Sequence, residues 1–347
     1  MNIRSLQNQF TLILCLVLST FTFKVKCQDI QFSQFYAASL YLNPAFAGSA
    51  HADRITFHQR LQWPALEAKY ITSYLSYDRY FEKYKSGFGA YILKDWQGKN
   101  YINSTEAAIQ YSYEIGLSEN LALRPAIQLG LISRSIDYTN LKYPDQFDDQ
   151  GLTGNPTNDP HYNSNRKTFA DVGSGMVLYS RKIWVSYAGH HLNRPNQSYW
   201  NESSPLPLKH SITAGYRIEA IKGDTKNHMG YATQSLYLIP TVQYKFQGKS
   251  DQLDMGVYLF YNEYVLGVWY RGIPVKKYNS GLQNNESMIV LAGWRIKQFR
   301  LTYSYDFIVS KLKTARPAGA HELNITYIFN KKKGIKKLKV LPCPEFH

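Results

Sequence analysis

Polar and apolar residues alternate strictly in several segments of the chain, most clearly in residues 299–307. The polar positions there are Arg300, Thr302, Ser304 and Asp306, and the apolar positions are Leu301, Tyr303, Tyr305 and Phe307. Because successive side chains of a strand point to opposite faces, this segment predicts a strand with one polar and one apolar face. The apolar face of such a strand points to the core of a soluble sandwich. In a transmembrane barrel it points to lipid, and the polar face lines the lumen.

The same alternation, bounded by turn residues, predicts fourteen strands in the whole chain. They are expected near 52–60, 68–79, 86–95, 103–114, 121–134, 169–179, 182–190, 208–219, 236–246, 252–260, 264–271, 286–296, 299–308 and 319–329. A closed up-and-down barrel with both termini in the periplasm requires an even number of strands. We therefore predict an all-β fold, an antiparallel transmembrane β-barrel over residues 52–330.

The lengths of the connections support the barrel, because bacterial barrels alternate short periplasmic turns with longer extracellular loops. Short connections are expected at Tyr80–Lys85, Ile115–Asn120, Ser180–Arg181, Tyr261–Glu263 and Lys297–Gln298. Long ones are expected at Ser135–Thr168, His191–Pro207, Gly272–Asn285 and Val309–Gly319. Two connections depart from the alternation, since Ala220–Ser235 is long and Gln247–Asp251 is short. A soluble sandwich has no reason to sort its loops in this way.

The first 27 residues have the features of a secretory signal peptide. Arg4 precedes an apolar stretch over residues 10–23, which is too short to span a bilayer, and cleavage is expected after Cys27. Lipidation of Cys27 is disfavoured by Lys26, because the lipidation motif of bacterial lipoproteins has a small residue just before the cysteine. No later stretch has the length of a membrane helix, so the exported chain is either soluble outside the cytoplasm or a barrel in the outer membrane.

Composition changes this interpretation in two ways. The chain has 29 Tyr, 17 Phe and 6 Trp, and such residues suit barrel walls at the boundary between lipid and water. The net charge is +15, and removal of three basic signal residues leaves +12. Export argues against nucleic acid as a partner, so the basic chain is expected to meet outer-membrane lipid, peptidoglycan or an acidic protein surface.

Residues 331–347 form a basic tail after the last predicted strand, and strand parity places it in the periplasm. Blocks of like charge are commonly solvated interaction tails, so a simple charged tail and a contact with a periplasmic partner both remain open. Cys343 is expected either to form a disulfide with a cysteine of a partner protein or to remain a free thiol. The candidate contact residues are Lys331, Lys332, Lys333, Lys336, Lys337, Lys339 and Cys343.

Residues 28–51 precede the first predicted strand, and Asn43-Pro44 within them predicts a turn. This segment is expected to be a periplasmic lead-in or a plug against the barrel wall. A docking surface for partner proteins is the functional alternative.

Catalytic and metal-binding patterns are weak. The loop Asp145–Asp159 is rich in Asp and Asn, but it lacks the spacing and the terminal Glu of a known calcium loop. His190 and His191 are adjacent at a strand end, so they are expected to face opposite sides and not to share a metal. We expect no catalytic residues, no metal and no cofactor, since no nucleophile elbow or phosphate-binding glycine run is present.

Three segments resemble a known family. Gln31-Phe-Ser-Gln34, the run Leu42–Gly48 and Arg60-Leu-Gln-Trp63 are similar to elements of the PorP/SprF family of the Bacteroidota, and the Lys-rich tail fits the same pattern. The third run is a loose form of the family's, and Glu345 stands where a basic residue is common. The residues that carry the resemblance, and are candidates for docking, are Gln31, Gln34, Asn43, Pro44, Gly48, Arg60 and Trp63.

This resemblance implies a non-enzymatic outer-membrane component of the type IX secretion system. Its implied partners are periplasmic ring components of that machinery and large secreted adhesins, and its implied role is client secretion or surface anchoring in gliding motility. The alternative is a porin or passive uptake channel in which inward Arg217, Lys245 and Arg300 select anions. A soluble periplasmic or cell-surface β protein is a third interpretation.

Overall fold

The computed structural model describes residues 29–98, 102–138, 141–159, 166–200, 202–221, 236–277 and 283–329. Fourteen long strands form the wall of a closed antiparallel barrel. They are β1 Asp53–Gln62, β2 Tyr70–Phe81, β3 Ser86–Gln97, β4 Ile102–Tyr113, β5 Leu121–Ile136, β6 Arg166–Tyr179, β7 Ile183–His190, β8 Lys209–Tyr216, β9 Leu236–Gln247, β10 Ser250–Tyr261, β11 Tyr264–Lys277, β12 Gln283–Ile296, β13 Phe299–Ile308 and β14 Ala320–Phe329.

Each strand pairs with its neighbours in the chain, and β1 pairs with β14 to close the barrel. The closing register runs from Asp53 opposite Phe329 to Gln62 opposite Ala320. After a one-residue break, short strands at Ile115–Ser118 and Ile218–Ile221 continue β4 and β8. Closure leaves the fourteen described wall strands without an open edge for another chain to pair with.

The predicted strands are confirmed as elements, with corrections at their ends. β11 ends at Lys277, six residues later than the expected limit of 271. β12 begins at Gln283, three residues earlier than the expected limit of 286. The connection between β9 and β10 is as short as the sequence indicated, since β9 ends at Gln247 and β10 begins at Ser250. The other connection that departs from the alternation, Ala220–Ser235, lies largely outside the described residues.

The two ends of the barrel differ. At one end, called here the short-turn end, hairpin loops such as Asn262–Glu263 and Lys297–Gln298 join the strands. The opposite end, called here the long-loop end, carries residues 137–138, 141–159, 191–200, 202–208 and 309–319. The 137–165 loop contains a two-stranded hairpin in which Phe147–Asp148 pairs with Gly151–Leu152. No helix in the described part of the chain is long and apolar enough to cross a membrane.

The alternation in residues 299–307 separates the two faces of the wall as predicted. Thr302, Ser304 and Asp306 are buried in the lumen, whereas Leu301 and Phe307 are about half exposed on the outside. Aromatic pairs lie on the outer face near each end of the barrel: Phe299 with Tyr327, Tyr264 with Trp294, Tyr187 with His210, and Tyr305 with Phe307. An apolar outer band with aromatic residues at both rims fits a wall in contact with lipid.

The structure places residues 29–52, called here the plug, inside the barrel. The plug begins at the long-loop end and contains a one-turn helix at Ser39–Leu42 and a 3₁₀ turn at Pro44–Phe46. It folds back on itself, because the Tyr41 hydroxyl donates to the Ile30 carbonyl over 3.0 Å. It then runs to the short-turn end, where β1 begins. The sequence left two structural roles open for this segment, a periplasmic lead-in and a plug. The described residues have the position of a plug.

Candidate functional site

Wall glycines create space for the backbone of the plug. A Cβ atom on Gly87 would lie 1.9 Å from the Ala47 carbonyl oxygen, and a Cβ atom on Gly175 would lie 2.1 Å from Asn43 Oδ1. Both distances are far below van der Waals contact. The two glycines are therefore required where the plug meets β3 and β6.

The centre of the plug is fixed by an ion cluster on the seam between β1 and β14. Arg60 is the register partner of Glu322, and its guanidinium donates to Glu322 and, over 3.2 Å, to Asp306. The backbone amides of Ser33 and Gln34 donate to the two Glu322 carboxylate oxygens over 2.6 and 2.8 Å. The Glu322 side chain is 0 % exposed and that of Arg60 is 4 % exposed. Charge-assisted bonds in such a dry site are strong, so this cluster attaches the plug firmly to the wall.

Gln34 and Asn43 hold the plug through side-chain amides. Gln34 Nε2 donates to Ser304 Oγ over 3.0 Å, and its Oε1 accepts from Thr302 over 2.6 Å. Asn43 Nδ2 donates to the carbonyl oxygens of Met176 and Tyr187 over 3.3 and 3.0 Å. The same asparagine caps the 3₁₀ turn, since its Oδ1 accepts from the Ala45 amide. These contacts explain why both positions carry amides.

The first described residue of the plug is clamped at the long-loop end. Asp29 accepts from His191 Nε2 at 2.6 Å, and the other ring nitrogen of His191 contacts Asp171 at 2.7 Å. Burial alone would lower the pKa of His191, but Asp29 and Asp171 raise it to about 10. Burial would raise the pKa of Asp29, but His191 and Lys209 hold it well below its usual range. The clamp is therefore an ion pair at neutral pH.

A further attachment lies at the short-turn end. The Gly48 amide donates to Asp78 Oδ2 over 2.8 Å, and Asp78 also pairs with Arg54 at 2.7 Å. Arg54 in turn donates to the Phe46 carbonyl over 3.2 Å. Gly48 has φ +69°, a conformation that favours glycine. The plug is thus tied to the wall at both ends and in the middle.

Trp63 and Gln31 lie at the long-loop end. Trp63 follows β1 with φ +56°, donates its amide to the Gly319 carbonyl over 2.8 Å, and packs edge-on against Tyr70 with ring centroids 5.3 Å apart. Gln31 lines a cavity of about 420 Å³ between the plug and the ends of β1, β2 and β3, called here the vestibule. Trp63, Tyr70 and Arg60 line it as well.

The structure gathers the family-motif residues at the lumen. Gln31, Gln34, Asn43, Pro44 and Gly48 belong to the plug, Arg60 is a main wall contact of the plug, and Trp63 lies at the vestibule. In this arrangement the described contacts attach the plug to the wall. Docking of a secretion partner by these residues stays a prediction. The tail residues Lys331, Lys332, Lys333, Lys336, Lys337, Lys339 and Cys343 lie outside the described residues, as do residues 1–28.

Sequence reasoning missed the acidic partners of the plug. Asp78, Asp306 and Glu322 each lie on a lumen-facing position, but nothing in the sequence links them to residues 33–48. The Ser33–Asp306 bond, for example, joins residues 273 positions apart. The only available signal was that carboxylates and arginines share the inward face of the wall.

The proposed anion-selecting residues are partly engaged with other lumen groups. Lys245 Nζ lies 3.7 Å from Asp254, and the Arg217 guanidinium lies 4.0 Å from the centre of the Tyr237 ring. Arg300 lies directly opposite Arg295 on the β12–β13 hairpin and lines a cavity of about 50 Å³ beside the plug.

The metal candidates have other contacts. Asp145 accepts from the Thr157 hydroxyl at 2.9 Å and from the Asn158 amide at 2.7 Å, which closes its loop. Within the described ranges, no group of three or more His, Cys, Asp or Glu side chains is placed to hold a metal ion. The expectation that His190 and His191 face opposite sides is wrong. Both side chains are buried and their ring centroids lie 6.4 Å apart, since the alternation of β7 ends at His191, which has φ +60°.

Comparison with known proteins decides the family. The family model described as type IX secretion system membrane protein PorP/SprF matches residues 24–327. The chain belongs to this family. A search of curated proteins finds no match. The PorP/SprF match and the closed barrel together make the protein an outer-membrane component of the type IX secretion system.

Solved outer-membrane proteins resemble this PorP/SprF protein only distantly. The Acinetobacter baumannii outer membrane protein Omp33 is 8 % identical with a TM-score of 0.43, and the alignment covers 81 % of this chain and 100 % of that one. A KdgM porin in complex with disordered oligogalacturonate is 10 % identical with a TM-score of 0.34, covering 80 % and 99 %. A mutant Rh. blastica porin is 9 % identical with a TM-score of 0.34, covering 80 % and 99 %.

Proposed function

We propose that this PorP/SprF protein supports the secretion or surface anchoring of adhesin-type client proteins, including clients used in gliding motility. It acts by binding and not by chemistry or conduction. The observation that carries this proposal is the plug, which lies inside the barrel and is tied to the wall at three places. Asp29 forms an ion pair with His191, and plug amides donate to Glu322 and Asp78, which are themselves held in buried ion pairs with Arg60 and Arg54. A barrel built to pass small solutes gains nothing from so many attachments across its lumen.

The surfaces left for partners are the two ends of the barrel and the basic tail. Strand parity predicts that the long loops lie outside the cell, where a secreted adhesin would be met, and that the tail lies in the periplasm with the ring components of the machinery. Gln34, Asn43, Gly48 and Arg60 are engaged in holding the plug, so they can dock to a partner only if the plug leaves the lumen. We propose the long-loop end as the client surface and the tail as the contact with the machinery.

Two experiments test this proposal. A deletion strain is compared with its complemented parent by mass spectrometry of shed and surface proteins, and loss of one or more large adhesins from the surface is expected. Complementation with a chain that lacks residues 331–347 is expected to restore the barrel but not secretion. Unaltered secretion and surface display of every candidate client in the deletion strain would contradict the proposal.

Affinity purification of the tagged barrel from outer membranes identifies the partners directly. Recovery of ring components or of one large adhesin supports the accessory role, and a matched chain without residues 331–347 is expected to lose the ring components alone. Recovery of the barrel by itself in good yield favours the channel.

A further inference from the structure

The vestibule is built from two rows of lumen-facing side chains on three adjacent strands. Gln62, Tyr70 and Gln97 are register partners across β1, β2 and β3 and form the row nearest the long-loop end. One step deeper, Arg60, Thr72 and Asp95 form the second row. All six line the same cavity of about 420 Å³, a volume within the range of small-ligand sites.

The polar groups of these rows are oriented by one another. Asp95 accepts from the Thr72 hydroxyl over 2.6 Å and from Gln97 Nε2 over 2.9 Å. Arg60 donates to Gln62 Oε1 over 3.2 and 3.1 Å. These bonds do not use the Gln62 amide nitrogen or the Gln97 carbonyl oxygen. One donor and one acceptor, held in fixed positions, therefore border the cavity.

Aromatic rings complete the site. Trp63 and Tyr70 line the cavity and support each other edge-on, and Trp63 adopts a left-handed backbone conformation that a large residue rarely takes. Strained residues of this kind cluster at ligand sites. The rings offer an apolar face beside a ring of hydrogen-bonding groups, which is a surface complementary to a sugar ring, with its apolar C–H face and its hydroxyl edge.

We propose that the vestibule binds a saccharide, either neutral or carrying an amino group. Arg60 is the cation among the described residues that line the cavity, and it is itself engaged with two carboxylates. Asp95 and Glu286 line the cavity as well, so acidic sugars are disfavoured. An extended peptide is disfavoured for a different reason. The strands are paired up to Gln62, Tyr70 and Gln97, so no backbone edge is open for strand addition, and recognition must come from side chains.

The full-length barrel in detergent micelles is tested on an array of mono- to tetrasaccharides that includes neutral hexoses, N-acetylhexosamines, amino sugars, uronic acids and sulfated sugars. Hits are confirmed by calorimetric titration. We expect saturable binding of neutral or amino saccharides. Trp63→Ala and Gln97→Leu are each expected to weaken binding about tenfold, the size of one good aromatic or hydrogen-bond contact.

Trp294→Ala is the matched control, because Trp294 lies on the outer face at the opposite end of the barrel and is expected to leave binding unchanged. Binding to no array member by folded wild-type protein overturns the proposal, as does binding of acidic sugars alone or equal binding by all three variants. A Ser- and Lys-rich decapeptide is titrated in parallel. If this peptide binds with the same dependence on Trp63 and no saccharide does, the site is a peptide site. The test is made on purified protein and is independent of any client of the secretion system.

Discussion

Replacement of Arg60 by glutamine tests the ion cluster that holds the centre of the plug. The side chains of Glu322 and Asp306 are 0 % and 4 % exposed, and Arg60 donates to both. Removing one partner of a buried ion pair costs about 3–5 kcal/mol, because the remaining charge is left uncompensated. Here Glu322 keeps two backbone amides and His58, and Asp306 lies 3.6 Å from Arg271. We therefore expect the lower end of the range, about 3 kcal/mol.

The decrease in the free energy of unfolding is measured by urea titration of the barrel in lipid vesicles, with tryptophan fluorescence as the readout. Hydrogen exchange locates it, because the amides of Ser33 and Gln34 donate to Glu322 and are expected to lose protection. Arg79→Gln is the matched control. The Arg79 side chain is 51 % exposed beside Asp53, so its loss is expected to cost about 0–1 kcal/mol.

The double variant Arg60→Gln/Glu322→Gln separates loss of charge balance from loss of contacts. Because it removes a buried cation and a buried anion together, it is expected to recover part of the stability lost in the single variant. Equal effects of Arg60→Gln and Arg79→Gln, with unchanged protection at Ser33 and Gln34, would refute the reasoning.

Two further predictions concern the contacts of the plug. Gly87→Ala places a Cβ atom 1.9 Å from the Ala47 carbonyl and is expected to cost about 1–3 kcal/mol in the same urea titration, whereas Gly116→Ala, with open space around it, is expected to stay within about 0.5 kcal/mol. Equal costs would contradict the close approach. The His191 clamp is expected to stabilise the fold fully below pH of about 6.5 and to lose its contribution as the pH rises to about 10, because folding raises the His191 pKa. His191→Phe should abolish this part of the pH profile and His210→Ala should retain it; an unchanged profile in His191→Phe would contradict the assignment.

Strand positions could be predicted because a barrel wall obeys one local rule. In residues 299–307 every second side chain faces the lumen, and the sequence shows this directly. The short connection over residues 247–251 was also predicted from the spacing of the strands, and the structure shows a tight turn there in which Gly248 has φ +61°. Strand ends near the long-loop end were less well predicted, because alternation fades where the wall leaves the membrane.

The plug could not be placed from the sequence for a physical reason. Residues 29–52 are buried against lumen residues from many strands, so their burial follows no period of two or 3.6. Arg60 was singled out by its motif, yet its partners Asp306 and Glu322 lie on β13 and β14, and only barrel closure brings them together. His191 was misplaced because its left-handed backbone conformation cannot be read from alternation.

The most direct test of a barrel that binds and does not conduct is its ion conductance in planar lipid bilayers. The wild-type protein is expected to be silent, and a variant lacking residues 29–50 is expected to conduct if it inserts, since that change empties the lumen. Steady conductance of the wild-type protein at the level of the plug-deleted variant would contradict the account.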